Sequence, residues 1–158
     1  MTDPRPLIAT MIGDPCGIGP EVIAKAWASG GPHRYSRPVL IGSAPVMEQA
    51  VKFAGLDLPV RTIDSVDQIS DSPEVIEIID SGKLDINDVT LGVDSAICGK
   101  VCAEWLSEAD KLARSGAVAG TIMGPISSVA MKMQFYSAEM PKRTILGIPG
   151  PLLRKWRI

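Results

Sequence analysis

The junction Met11-Ile12-Gly13-Asp14-Pro15-Cys16-Gly17-Ile18-Gly19-Pro20-Glu21 constrains the fold most, because it sets three glycines, two prolines and two acids between an apolar run and a helix. Leu7 to Thr10 has strand character, Pro20 and Glu21 suit a first helical turn, and Val22 to Trp27 carries the helix onward. The glycines free the loop for positive φ and let a ligand approach the main chain. The first N–H groups of such a helix favour an anion such as a phosphate. The spacing is not Gly-x-Gly-x-x-Gly. Gly17 and Gly19 supply half of that dinucleotide fingerprint, so spacing alone leaves a tight turn without a ligand equally open.

The rest of the chain alternates. Pro20 to Ser29 reads as a helix with Gly30-Gly31-Pro32 as its stop, Val39 to Ile41 as a strand, Ala44 to Ala54 as a helix ended by Gly55, and Val60 to Ile63 as a strand. The β-branched run Val75 to Ile79 reads as a buried strand. A helical pattern runs from Asp94 to Ser115 and stops at Gly116, and Ala117 to Met123 is a strand ending in the Gly124-Pro125 turn. Such alternation predicts an α/β fold with a largely parallel sheet, whose ligands sit outside the carboxyl ends of the strands.

Thr10 to Lys25 resembles the N-terminal motif of the 4-hydroxythreonine-4-phosphate dehydrogenase family, Thr-x-Gly-Asp-Pro-x-Gly-Ile-Gly-Pro-Glu followed by a helix. Gly120 to Ser128 is similar to the family's later strand and its Thr-Ala/Gly-Pro-Ile/Val-Asn-Lys loop. Pro38 to Gly42 resembles the second strand, and Gly99-Lys100-Val101-Cys102-Ala103-Glu104 the opening of the long helix. The resemblance implies a three-layer α/β/α architecture like that of isocitrate and isopropylmalate dehydrogenases, here incomplete. It also implies a cytoplasmic homodimer that oxidises 4-phosphooxy-threonine or a related hydroxy acid with NAD and a divalent metal (Zn, Mg or Co), with decarboxylation, in pyridoxal phosphate (vitamin B6) biosynthesis. The small phosphorylated hydroxy-amino acid is the expected partner.

Carried over residue by residue, the resemblance points to Asp14, Gly17, Gly19, Gly124, Pro125 and Ser127 for substrate or cofactor binding. Asp14 would offer its carboxylate to a substrate hydroxyl or amine, or else brace its own loop by bonding nearby N–H groups. Ser127 would offer a hydroxyl or cap the next helix. Glu21 reads equally as a helix-start acid. Ser128 stands where the family has Lys, which removes a positive charge and opens the choice between phosphorylated and unphosphorylated substrates. The family's metal is held by three histidines, and none of them has a counterpart here. The one histidine, His33, lies in a Gly-Gly-Pro-His stretch that reads as a solvated loop. This chain by itself is therefore expected to be inactive and to bind neither NAD nor metal well. A non-catalytic α/β module that binds a phosphorylated metabolite or a partner subunit is the alternative.

Composition narrows the classes. With 158 residues, 46% of them hydrophobic, the chain can build one core. A net charge of -2 argues against nucleic acid and a basic membrane anchor. No apolar stretch approaches the ~18 residues of a membrane span. The first residues lack the apolar segment of a signal peptide, which makes the cytoplasm the default compartment. Cys16, Cys98 and Cys102 have no zinc spacing, and Cys98 and Cys102, four apart on one helix face, read as small buried residues.

The composition breaks at Met133. Residues 1–133 carry 11 Lys and Arg against 17 Asp and Glu, and 134–158 carry 5 against 1. The chain thus divides into 1–133, the N-terminal part of the dehydrogenase fold, and 134–158, a proline-interrupted basic tail without periodicity that is expected to be loosely attached. No His stands in Gln134 to Leu146, where the family has Gly-His-Thr-Glu. A shifted reading frame or truncation is the expected cause.

Overall fold

The computed structural model describes residues 3–136, with side chains through 133. Five parallel strands form one sheet in the order β3-β4-β2-β1-β5: β1 is Leu7–Met11, β2 Arg37–Ile41, β3 Val60–Ile63, β4 Ile76–Ile79 and β5 Gly120–Met123. The α/β class and the parallel sheet are as predicted. Helices α1 (Gly19–Ala28), α3 (Ala44–Phe53) and α4 (Ala96–Arg114) are the main connections, with the short α2 (Gly31–Tyr35) before β2 and α5 (Ser128–Tyr136) after β5.

Connection direction sorts the helices. From β1 to β2 and from β2 to β3 the chain moves one way across the sheet, whereas α4 carries it back from β4, past β2 and β1, to β5. Right-handed crossovers put helices of opposite direction on opposite faces. In accord with this, α1 packs on α3, and α4 lies on β1, β2 and β5 and holds α5. Strands buried on both faces read as continuous apolar runs. In β2 after Arg37, and in β4 apart from the buried Glu77, they do.

Several boundaries shift for local reasons. Gly30, at φ +66°, ends α1 as expected, but Pro32 then lies in the first turn of α2, where its fixed φ favours a helix. His33 therefore belongs to a helix and is buried, 7% exposed, with its ring edge-on to Trp27 at 4.7 Å. The expected solvated loop histidine is corrected. β5 starts at Gly120 rather than Ala117, because the N–H groups of Ala117 and Val118 both bond back to the Leu112 carbonyl and close α4. Ser95 caps α4, accepting from the Cys98 N–H at 3.4 Å, so Asp94 precedes the helix instead of opening it.

The backbone of α5 continues to Tyr136, past the compositional break at Met133, since no proline intervenes before Pro141. Gly99 lets α4 and α5 meet: a Cβ there would stand 2.0 Å from the Ala130 carbonyl oxygen. The expected loose attachment of the tail lies outside the described residues.

Candidate functional site

β1 and β5 are neighbours, yet their following loops leave toward opposite faces, one into α1 and the other into α5 on the α4 side. This is a topological switch point, where a crevice opens at the carboxyl ends of the strands. A cleft of about 270 Å³ lies there, lined by Asp14, Cys16, Gly17, Ile18, Gly92, Val93, Asp94, Pro125, Ile126 and Ser127. Beyond the Cys16–Ile18 segment is an apolar hollow of about 230 Å³ whose lining includes Pro15, Glu21, Val46, Phe53 and Leu91.

The two motif loops are locked together through backbone. The Asp14 N–H donates to the Pro125 carbonyl at 2.9 Å, and Gly124 donates to Met11 at 2.9 Å. Gly13 has φ +83°, and a Cβ on it would lie 2.3 Å from the Pro125 oxygen. Cβ atoms on Gly19 and Gly124 would meet the Ile12 carbonyl oxygen at 2.5 and 2.8 Å. Gly19 and Gly124 thus serve close approach of one chain segment to another and do not line the cleft. Gly17 does line it, half of the expected glycine pair.

Asp14 is 4% exposed, and its Oδ1 accepts from the Cys16 N–H at 2.9 Å, closing an Asx turn. The bracing role is therefore present, and the residue also lines the cleft. Ser127 does both things expected of it. Its Oγ accepts from the Ala130 N–H at 3.1 Å, capping α5, and its hydroxyl donates to the Asp94 carboxylate across the cleft. Asp94 is the polar residue that sequence reading missed. The capping Ser95 beside it was the available signal, since a cap fixes the helix start one residue after itself.

Cys16 lines the cleft, with two further cysteines buried behind it. The Cys16 and Cys98 Sγ atoms are 3.1 Å apart, and the Cys102 thiol donates to the Gly13 carbonyl at 3.4 Å. All three cysteines are free and buried, as expected for Cys98 and Cys102. Burial, followed by the hydrogen bond with Cys16, pushes the Cys98 thiol up to about 12, and burial pushes Cys102 up as well. Both are neutral thiols near pH 7.

The family model for the pyridoxal phosphate biosynthetic protein PdxA matches residues 34–142. The chain belongs to this family. The match runs into the stretch after Met133. A Novosphingobium aromaticivorans protein named as a 4-hydroxythreonine-4-phosphate dehydrogenase is 44% identical over 92% of this chain and 43% of its own length. A crystal structure of a 4-hydroxythreonine-4-phosphate dehydrogenase from Burkholderia phymatum superposes with TM-score 0.80 at 27% identity, covering 90% of this chain and 42% of that one. A terephthalate 1,2-cis-dihydrodiol dehydrogenase from Burkholderia xenovorans LB400 gives 0.64 at 28% identity, covering 82% and 37%. This chain spans about two fifths of the length of these relatives.

The residues of this chain do not fit a three-histidine metal centre. Its one histidine, His33, precedes β2 at the opposite end of the sheet from the cleft, against Trp27. Among the described residues, the cleft lining holds two carboxylates and no basic residue. Among the described residues no helix is long and apolar enough to cross a membrane.

Proposed function

We propose that this chain is the N-terminal part of a PdxA-type dehydrogenase and supplies one wall of its substrate cleft. The observation that carries the reading is the convergence of Asp14, Asp94 and Ser127 on one cleft at the β1/β5 switch point. The carboxylates accept hydrogen bonds from substrate hydroxyl or ammonium groups, and Gly17 lets the substrate approach the loop backbone. The complete enzyme is a cytoplasmic homodimer dependent on NAD and a divalent metal, with both groups held by residues outside this chain. It oxidises the secondary hydroxyl of 4-phosphooxy-threonine or a related hydroxy acid.

Two carboxylates without a basic partner repel a phosphate. At this wall they suit the hydroxyl-bearing part of a substrate, and Ser128 in place of the family's Lys supports an unphosphorylated alternative. The dihydrodiol dehydrogenase among the structural relatives is an example of such chemistry.

The test is NAD reduction measured with 4-phosphooxy-threonine and with an unphosphorylated vicinal diol, on this chain and on a version extended with the remaining family motifs. The chain alone should be inactive. In the extended protein Asp14→Asn should lower kcat/KM about tenfold or more, equivalent to about 1.4 kcal/mol per factor of ten, with a small change in thermal midpoint. A sharp fall in midpoint with the rate kept would make Asp14 a loop brace only. Activity of the chain alone above a heat-treated control would end the partial-enzyme reading.

The alternative, a non-catalytic module that pairs with another subunit, is favoured by one feature. The edge strand β5 exposes Ile122 and Met123 by 57% and 50%. An extended protein that dimerises but reduces no NAD with either substrate would decide for it.

A further inference from the structure

We infer that Asp14, Cys16 and Cys98 form a binding site for one thiophilic divalent cation of the Zn²⁺, Co²⁺ or Cd²⁺ class beside the cleft. One carboxylate oxygen and two sulfurs, all buried, lie within 4.8 Å of one another. The pairing joins residues 82 positions apart, one on the loop after β1 and one in the first turn of α4, so no sequence spacing announces it.

The donor set selects the ion. Two thiolates and one carboxylate suit soft or borderline cations, and hard Mg²⁺ and Ca²⁺ call for an oxygen-only shell. With metal–sulfur bonds of about 2.3 Å, tetrahedral coordination separates two sulfurs by about 3.8 Å. The observed 3.1 Å must therefore open slightly, a motion asked of the Cys16 loop. The Cys16 N–H occupies one lone-pair position of Asp14, and a carboxylate offers about four, so the turn survives coordination. Three anionic ligands leave one negative charge on the bound site. The N-terminus of α4, where Cys98 is the third residue, is the favourable end of the helix dipole for it.

Three protein ligands leave a fourth position, and Asp14 and Cys16 both line the cleft, which gives it access from outside. The site is separate from a histidine-built centre, and it is tested by binding rather than turnover, so it stands or falls independently of the dehydrogenase reading.

The experiment titrates the reduced chain, free of chelator, with Co²⁺ and then Cd²⁺. One Co²⁺ per chain should bind with a near-ultraviolet thiolate-to-cobalt band of two-thiolate intensity, displaced by Cd²⁺. One equivalent of Cd²⁺ should slow the reaction of two of the three buried thiols of the unsubstituted chain with a disulfide reagent, relative to the metal-free chain. Cys16→Ala and Cys98→Ala should each weaken binding by more than the roughly 10–100-fold typical of losing a group behind the ligands. Cys102→Ala should leave it unchanged. The assignment is overturned if no band forms, if the band survives both substitutions, if Cys102→Ala alone abolishes it, or if Cys16 and Cys98 merely oxidise to a disulfide without metal affinity. Should a variant fail to fold by circular dichroism, the thiol count in the unsubstituted chain decides.

Discussion

At the carboxyl ends of β1 and β5 the chain is held together by backbone, whereas at the amino ends of the strands it is held by charge. Around the cleft Gly13, Gly19 and Gly124 bring main chain against main chain, and among the described residues the acids Asp14 and Asp94 form no salt bridge. At the other end Arg5 bridges Asp3 and Asp71 and donates to the His33 carbonyl, while Arg61 pairs with buried Glu77. Glu77 also accepts from the Ser70 N–H at 3.0 Å and the Asp71 N–H at 3.3 Å, tying the loop before β4 to the sheet. Charges at the amino end are paired with opposite charges; those at the cleft are held by a backbone N–H and a hydroxyl and keep their charge for a ligand.

The sharpest way to break this contrast is to add one methyl group at the cleft. Gly13→Ala forces a Cβ to 2.3 Å from the Pro125 oxygen at φ +83°, and should cost about 3 kcal/mol and lower the thermal midpoint by about 10 °C. Gly82 has a similar φ of +66° but open space around its Cβ position, so Gly82→Ala should cost about 1 kcal/mol. Equal losses at the two positions would show that φ alone, rather than contact between the motif loops, demands the glycine.

At the amino end the corresponding change is Glu77→Gln. It removes the charge from a side chain 1% exposed that takes hydrogen bonds from Arg61, Ser70 and Asp71, and should cost about 2 kcal/mol in denaturant unfolding at neutral pH. Burial alone would raise the Glu77 carboxyl, but bonds from Ser70, Arg61 and Asp71 outweigh it and hold the group below its ordinary value of 4.5. A lowered carboxyl stabilises the fold above the unfolded value and loses that contribution as pH falls through the folded one. Glu77→Gln should therefore flatten the acid limb of the stability curve below about pH 4.5. An unchanged limb would assign acid sensitivity to other groups.

The same contrast explains what the sequence discloses. β1, α1 and α3 lie within a residue or two of their predicted bounds, because periodicity and Gly/Pro punctuation act locally. The placement of both motif loops at strand carboxyl ends was also legible, whereas the switch point itself depends on β1 and β5 becoming neighbours in the sheet. Asp94 was hidden inside a helical pattern whose true start depends on the Ser95 cap. Glu77 was hidden inside an apolar run, because a buried acid is tolerated only through partners, Arg61 and the Ser70–Asp71 loop, that lie elsewhere in the chain. The Cys16–Cys98 contact depends on α4 crossing back over the sheet. Nothing local in either cysteine's neighbourhood encodes it.

Ser127 gives a smaller effect on the cleft side. Ser127→Ala removes the α5 cap and should cost about 1 kcal/mol. Ser127→Thr keeps the hydroxyl and should recover most of it, as read by thermal unfolding. Failure of Thr to recover would place the stabilisation in packing rather than in the cap.

His33 supplies the smallest test and the finest distinction between the ends. Among the described residues neither of its buried ring nitrogens has a hydrogen-bond partner, and its edge meets Trp27. Burial lowers its titration below the ordinary 6.5, Arg5 lowers it further, and the carboxylates of Asp71 and Glu77 oppose the shift without reversing it. Below pH 6.5 the unfolded chain takes up a proton that the folded chain still refuses, so stability declines as pH falls from there through the folded value. His33→Phe keeps an aromatic edge against Trp27 and removes the titration. The difference in thermal midpoint between about pH 7.5 and about pH 5.5 should then shrink relative to the unsubstituted chain. A wider difference in the variant would mean that protonated His33 is stabilised in the fold by Asp71 and Glu77. The amino end would then hold a working ion pair at His33 where burial against Trp27 favours the uncharged ring.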